Sequence, residues 1–408
     1  MKPLGPIPLG FGALGGELAI GGRRASEWVE QAGGTPLFVY SAEMIRRRVA
    51  DLRAAMPDRL LVHYAVKANP YAPLLELMRT LVDGFDIASQ GELELALAAG
   101  QDPAAISFAG PGKRDDEIEQ AVRHGVTLNL ESTGEARRAL AIGDRLGIAP
   151  RLAVRVNPSF ELRGSGMKMG GGARPFGIDE AQVPGLAREV IAAGAVWRGL
   201  HIFAGSQALG AEAVAETQGN VLDLAARLTR EIGAPLPHLN MGGGFGIPYF
   251  HGDEPLDIAL VGARLAARFA ELPAELEGTT LAIELGRYLV GEAGVYLTRI
   301  VDRKESHGQV FLVTDGGLHH QLAASGNFGT VVRRNYPVAI ASRFRAEPTE
   351  EASIVGCLCT PLDRLADIAH LPRAEAGDLV AVFCAGAYGA SASPSAFLGH
   401  GPAREMLV

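Results

Sequence analysis

The chain has 408 residues, 48% of them hydrophobic and 21% charged, with a net charge of −8. That length supports a large core and two domains, and a mildly acidic chain without a lysine/arginine block argues against nucleic acid or an anionic membrane as partner. No apolar run reaches membrane-spanning length, the Gly/Pro-rich N-terminus lacks the layout of a signal peptide, and three cysteines (Cys357, Cys359, Cys384) make no disulfide framework, so the expected compartment is the cytoplasm.

From residue 60 to residue 285, short β-like runs alternate with amphipathic helical stretches. Strands are expected at Leu60–Val66, Gly84–Ala88, Ala105–Ala109, Val126–Leu130, Arg151–Val156, Val196–Phe203, Pro237–Met241 and Leu281–Glu284. Helical patterns fill the gaps, among them Gln90–Ala99, Asp115–His124, Gly134–Leu146 and Ala211–Ile232. Strands separated by helices in this way predict an α/β fold, a (β/α)8 TIM-like barrel over residues 41–286, with a doubly wound sheet as the alternative. After Arg287 the pattern changes to consecutive strands at Gly294–Val301, Val310–Thr314, Val331–Ala341, Ser353–Cys357 and Leu379–Cys384. With residues 1–40 these predict a second, C-terminal β-barrel or β-sandwich domain that completes the active site. The Gly-rich stretch Gly164–Gly172 reads as a mobile segment or as surface slack.

In such a barrel the C-terminal ends of the strands share one mouth. Lys67, in Tyr64-Ala-Val-Lys-Ala-Asn-Pro70, follows an apolar strand that Asn69-Pro70 breaks. A lysine in a partly dry pocket has its ammonium form disfavoured and can attack an aldehyde, which makes Lys67 a candidate Schiff-base residue; otherwise it snorkels to water. Met241-Gly242-Gly243-Gly244-Phe-Gly246 follows the seventh strand, where bare backbone lets several N–H groups point at one phosphate; a tight turn is the plain alternative. Ser206 adds a hydroxyl and Arg287 a charge-assisted bond to such a phosphate. Glu284, before Gly286, either pairs with an arginine or faces a pyridine nitrogen and keeps it protonated. An amine for an aldehyde, glycines for a phosphate and a carboxylate for a ring nitrogen together describe pyridoxal 5'-phosphate (PLP).

Six motifs resemble the fold-type III PLP decarboxylases, the diaminopimelate/ornithine/arginine decarboxylase group with an alanine-racemase-like barrel. They are Tyr-Ala-Val-Lys-Ala-Asn-Pro, Gly205-Ser-Gln207, Gly-Gly-Gly-Phe-Gly, Glu284-x-Gly-Arg287, Cys359-x-x-x-Asp363 and Gly386-Ala-Tyr388-Gly, in family order over nearly the whole chain. The resemblance implies that Lys67 carries the cofactor, that Gly242, Gly243, Gly244, Ser206, Arg287 and Tyr388 contact its phosphate, and that Glu284 partners the pyridinium. It implies that Asp86 and Arg155 line the cofactor. It also implies a homodimer, with Cys359 from the second subunit returning a proton to the substrate carbon. Cys357 and Cys359 carry no further ligand spacing, so no metal is expected.

Three departures concern the substrate. Phe203 stands where diaminopimelate decarboxylases carry a histidine stacked on the pyridine, while His201 lies two residues earlier and shares its face by strand alternation. Thr360 follows the cysteine where relatives that grip a distal ammonium carry an acid; Asp363 and Asp315 remain candidate amine partners. The segment Leu318–Pro337 departs from the pattern of lysine biosynthesis, and its Arg333 and Arg334 and the paired histidines His319 and His320 are candidates to face a carboxylate or phosphate. Ala323-Ala-Ser-Gly-Asn-Phe-Gly329 and Cys359-Thr-Pro-Leu-Asp363 resemble a branch of decarboxylases encoded with exosortase/exopolysaccharide systems or acting on amino acids tethered to an acyl-carrier protein. The leading expectation is a PLP-dependent α-decarboxylase of a free or carrier-tethered amino acid. Diaminopimelate decarboxylation, a racemase on the same barrel, and a catalytically silent PLP-binding protein are the alternatives.

Overall fold

The computed structural model describes residues 2–326 and 334–408. These divide into two compact units, one of residues 49–246 and 255–286, the other of residues 1–48, 247–254 and 287–408.

In the first unit eight strands close into a parallel barrel: β1 (Leu60–Ala65), β2 (Gly84–Ile87), β3 (Ile106–Phe108), β4 (Thr127–Leu130), β5 (Arg151–Asn157), β6 (Val196–Ile202), β7 (His238–Gly243) and β8 (Thr280–Leu285). Each pairs with the next, and β8 returns to β1 with Glu284 opposite His63. The reason is in the alternation. Leu60, Val62 and Tyr64 are buried apolar residues of β1, whereas His63 between them faces Asp86 of β2. Asn129 of β4 likewise donates to Ser107 of β3 across 2.6 Å. The barrel thus has an aliphatic face outward, under its helices, and a polar interior. The helices start and stop where the sequence says: Ser89 and Ser132 accept the Glu92 and Glu135 N–H groups as N-caps, and Gly125, Gly147 and Gly233 end their helices in the left-handed conformation.

The second unit holds β9 (Gly294–Ser306), β10 (Gln309–Thr314), β11 (Val338–Ile340), β12 (Glu350–Val355), β13 (Arg364–Leu371) and β14 (Leu379–Val382). The first half of β9 lies between Leu37–Tyr40 and β14; past an irregularity between Ile300 and Asp302 it pairs with β10 instead. One long strand therefore serves two layers, as bulged strands do at the corners of sandwiches. Leu18, Trp28, Leu37, Val39, Val295, Leu297, Leu379 and Phe383 form the core. The sequence reading missed β13 and Arg404–Leu407. In β13 the alternation is broken at Ile368, whose φ is +46°, and the register against β12 shifts there. Of the expected Val331–Ala341 strand, Val338–Ile340 is observed and residues 331–333 lie outside the described residues. Among the described residues no helix is long and apolar enough to cross a membrane.

Candidate active site

Lys67 sits in a single 3-10 turn, Val66–Ala68, directly after β1. Its neighbours Val66, Ala68 and Asn69 are buried, yet Lys67 itself is exposed, with Nζ 5.8 Å from the centroid of the Phe203 ring. β1 ends at Ala65, and the turn carries the lysine out of the strand.

Glu284, near the end of β8, is buried, and both of its donors reach Oε2: His201 Nε2 at 2.9 Å and Asn240 Nδ2 at 3.1 Å. Burial pushes the Glu284 carboxyl up, but the His201 ring and the charges of Lys67 and Arg155 outweigh it and hold the group below the usual carboxylate range. Asn240 extends the network: its Oδ1 accepts the Gly242 N–H at 2.9 Å, and its Nδ2 lies 3.5 Å from Asp86 Oδ1. Asp86 Oδ2 in turn lies 3.3 Å from His63 Nδ1. Burial disfavours the His63 cation, and Asp86 reverses that and raises its pKa. His201 is therefore a holder of Glu284, with its Nδ1 buried and unpartnered among the described residues. Phe203 is the aromatic ring near the lysine.

The glycines of β7 are demanded by close backbone approach. A Cβ on Gly243 would stand 2.0 Å from the Glu284 carbonyl oxygen, and one on Gly244, whose φ is +79°, 2.1 Å from that of Gly205. A Cβ on Gly286 would meet that of Ala68 at 2.7 Å. Gly205–Ser206 pairs with Met167–Lys168, so the glycine-rich stretch after β5 is zipped antiparallel onto the Ser206 segment. Arg155 donates to Glu131 Oε1 at 2.7 Å, with both side chains almost fully buried. Glu131 also accepts the Gly110 and Gly177 N–H groups. Beside it, Lys113 and Glu135 form a second buried pair at 2.7 Å.

In the second unit Arg287 is half-buried against Tyr249, to whose hydroxyl it donates at 2.8 Å, and its guanidinium lies 4.7 Å from the Tyr388 ring centroid. Burial pushes the Tyr249 hydroxyl up to about 12, so Arg287 meets a neutral phenol. Tyr388 has a φ of +55°, a strained value for a bulky residue. Arg334 stacks on Phe250 at 3.8 Å, and Arg333 lies outside the described residues. Asp363 is buried, and its two oxygens accept the Leu318 and Leu358 N–H groups at 2.6 and 2.8 Å. Asp315 accepts from the Thr35 and Thr298 hydroxyls and the Arg299 N–H. Both carboxylates hold the fold of this unit. Cys359 is exposed, and the Thr360 hydroxyl accepts the Leu362 N–H at 3.3 Å.

These residues fit PLP. Lys67 offers an accessible amine, Glu284 is a carboxylate that burial fails to neutralise, and the β7 glycines leave no room for side chains beside it. A profile for "Pyridoxal-dependent decarboxylase, pyridoxal binding domain" matches residues 42–291. The chain belongs to the PLP-dependent decarboxylases. It is a carboxy-lyase that uses PLP. It is 35% identical over 379 residues to the L-glutamyl-[BtrI acyl-carrier protein] decarboxylase of Niallia circulans, covering 91% of this chain and 88% of that one. It is 33% identical to the diaminopimelate decarboxylase of Methanothermobacter thermautotrophicus, with 93% and 87% covered. The crystal structure of diaminopimelate decarboxylase from M. jannaschii with L-lysine superposes with a TM-score of 0.86 at 26% identity, covering 98% and 92%.

Sequence reasoning about this decarboxylase overlooked Asn240, His63, Glu131, Glu135 and Lys113. Asn240 was findable: it lies on β7 two residues before Gly242, where the strand runs into the glycines. Glu131 stands at the end of β4 as Glu284 does near the end of β8. Lys113 sits in the loop after β3 and bonds to the Gly110 and Asn129 carbonyls, a placement no periodicity signals.

Proposed function

We propose that the decarboxylase removes the α-carboxylate of an amino acid whose distal end carries no free ammonium, presented as a carrier-protein thioester, with glutamyl as the first class to test. The observation that carries this is the state of Asp363 and Asp315. Thr360 is neutral, and the two nearby acids that could bind a distal ammonium already accept hydrogen bonds from their own unit. Such carboxylates are poor partners for a substrate amine, because recruiting one strips donors from the backbone. The carrier-protein decarboxylase among its relatives supports the same reading.

When bound, PLP supplies an electrophilic carbonyl and a protonated pyridine ring that draws electrons from the bond being broken. The protein does the rest. Lys67 holds the cofactor, and Gly242, Gly243, Gly244, Ser206, Arg287 and Tyr388 take its phosphate. Glu284 keeps a proton on the ring nitrogen, and His201 and Asn240 fix that carboxylate in place. Phe203 covers the ring, and Asp86 and Arg155 line it. Cys359, from the partner subunit of a homodimer, holds the proton delivered to the α-carbon. The enzyme works in the cytoplasm beside an exopolysaccharide or carrier-protein system.

Carbon dioxide release should be measured with glutamyl-carrier protein, free glutamate and free meso-diaminopimelate. Turnover of the tethered substrate at least about tenfold above the free ones is expected; faster release from diaminopimelate would overturn the substrate assignment. Separately, borohydride should fix PLP to Lys67, and Lys67→Ala should abolish both capture and, by on the order of 10³-fold, turnover. Capture at another lysine would refute the cofactor assignment.

A further inference from the structure

Three segments of the second unit, far apart in sequence, bring His319, Cys357 and His400 together. Their ligand-capable atoms all lie within 4.8 Å of one another. Cys357 Sγ is 3.9 Å from His400 Nε2, and the His319 and His400 ring centroids are 5.0 Å apart. His319 supplies the second, independent observation. Its side chain is fully buried, and neither ring nitrogen has a hydrogen-bond partner among the described residues. A buried imidazole with both nitrogens idle is costly and rare in a native fold. Its neighbour His320 shows the contrast: Nδ1 meets the Tyr296 hydroxyl at 3.1 Å and Nε2 the Gly401 carbonyl at 3.0 Å. So the packing satisfies one histidine completely and leaves the other facing a thiol and a third imidazole.

We propose that His319, Cys357 and His400 form a binding site for a zinc ion. Zinc takes a thiolate at about 2.3 Å and imidazoles at about 2.0–2.1 Å in tetrahedral geometry, which puts donors about 3.4–3.6 Å apart, so the three side chains must close in from the 3.9 Å between Cys357 and His400 and from the 4.8 Å that bounds the set. The donor set of one thiolate and two imidazoles excludes magnesium and calcium, which take oxygen. Binding releases the Cys357 thiol proton to solvent and leaves two neutral imidazoles, one anionic sulfur and a fourth position for water. The overlooked element in the sequence is distance: residues 319, 357 and 400 follow no short ligand spacing, and only the fold of this unit assembles them. The ion would tie the segment after β10, the turn after β12 and the tail before Arg404–Leu407 into one clamp, with Cys359 two residues from a ligand. This proposal does not depend on the substrate reading.

The test uses the full-length, untagged, PLP-loaded enzyme, reduced and stripped with chelator. Titration with Zn2+ followed by calorimetry should give one saturable site per chain and raise the thermal midpoint. Co2+ in its place should give a sulfur-to-metal charge-transfer band and the strong ligand-field bands of a four-coordinate ion. Losing a group that only orients a ligand costs about 10–100-fold in metal affinity, so Cys357→Ser or His400→Ala should weaken binding by about 100-fold or more. Both positions are partly or fully accessible, and retained PLP absorbance will certify that the variants fold. Cys359→Ser should keep the charge-transfer band. Absence of saturable binding by the wild-type chain would overturn the proposal, as would a charge-transfer band that survives Cys357→Ser or is lost with Cys359→Ser.

Discussion

Glu284 in the barrel and Asp363 in the second unit are both buried carboxylates, held in different ways. In the barrel, side chains answer side chains: Glu284 meets His201 and Asn240, Arg155 meets Glu131, and Lys113 meets Glu135. In the second unit the carboxylates of Asp363 and Asp315 turn to backbone amides and hydroxyls, and Arg287 rests against tyrosines. A carboxylate held by amides is a structural strut, fixed once the chain folds. A carboxylate held by a histidine and an amide side chain keeps its charge while staying on the face where ligands bind. Glu284 is the barrel carboxylate held this way, and Asp363 is the strut it is compared with.

The largest expected effect comes from breaking a barrel pair. Lys113 and Glu135 are both buried, and burial lowers the lysine and raises the glutamate while each opposes the shift of the other. Lys113→Met should strip buried Glu135 of its cation, leaving a carboxyl that must stay an unpaired charge or take up a proton, at a cost of about 3–5 kcal/mol in unfolding free energy. A loss under about 1 kcal/mol in urea denaturation would mean that the pair is solvated and that the comparison fails. Glu284→Gln keeps the shape and removes the charge. It should lower kcat by on the order of 10²–10³-fold while borohydride still captures the cofactor. An unchanged kcat would make Glu284 a strut like Asp363. The contrasting variant, Asp363→Ala, orphans the Leu318 and Leu358 amides and should cost about 1–3 kcal/mol for each that water fails to reach. Its measure is stability; a kcat loss at unchanged stability would show that Asp363 acts on substrate.

The barrel was legible because its code is local. Alternation gives the strands, capping serines and C-terminal glycines give the helices, and strand ends give the mouth; the helices Asp115–His124 and Ala211–Ile232 fall where the periodicity puts them. Lys67, Asp86, Arg155, His201 and Glu284 could be named for the same reason. What escaped was partnership. That Asn240 bridges Glu284 and Asp86, or that Asp315 is engaged by Thr35 from 280 residues away, depends on which strands end up adjacent. On a still smaller scale, the single turn Val66–Ala68 that carries Lys67 past the end of β1 has no signal in the alternation.

The smallest effect probes the histidines inside the barrel. Burial and the nearby charges of His63, Arg198 and His201 depress His238 to about 3, whereas Asp86 raises His63. An unfolded histidine takes up its proton near pH 6.5, so below that value the unfolded chain binds a proton that folded His238 refuses until about pH 3. Stability should therefore fall as pH drops through this window, by up to about 1.4 kcal/mol per pH unit from this one ring. His63 has the opposite sign: its contribution is complete below pH 6.5 and is lost only as pH rises through its elevated folded pKa. The two do not cancel, because they act on opposite sides of pH 6.5. Urea unfolding of His238→Gln at pH 7 and pH 5 should show a smaller acid-side loss than the wild type, and equal losses would place the acid sensitivity outside the barrel.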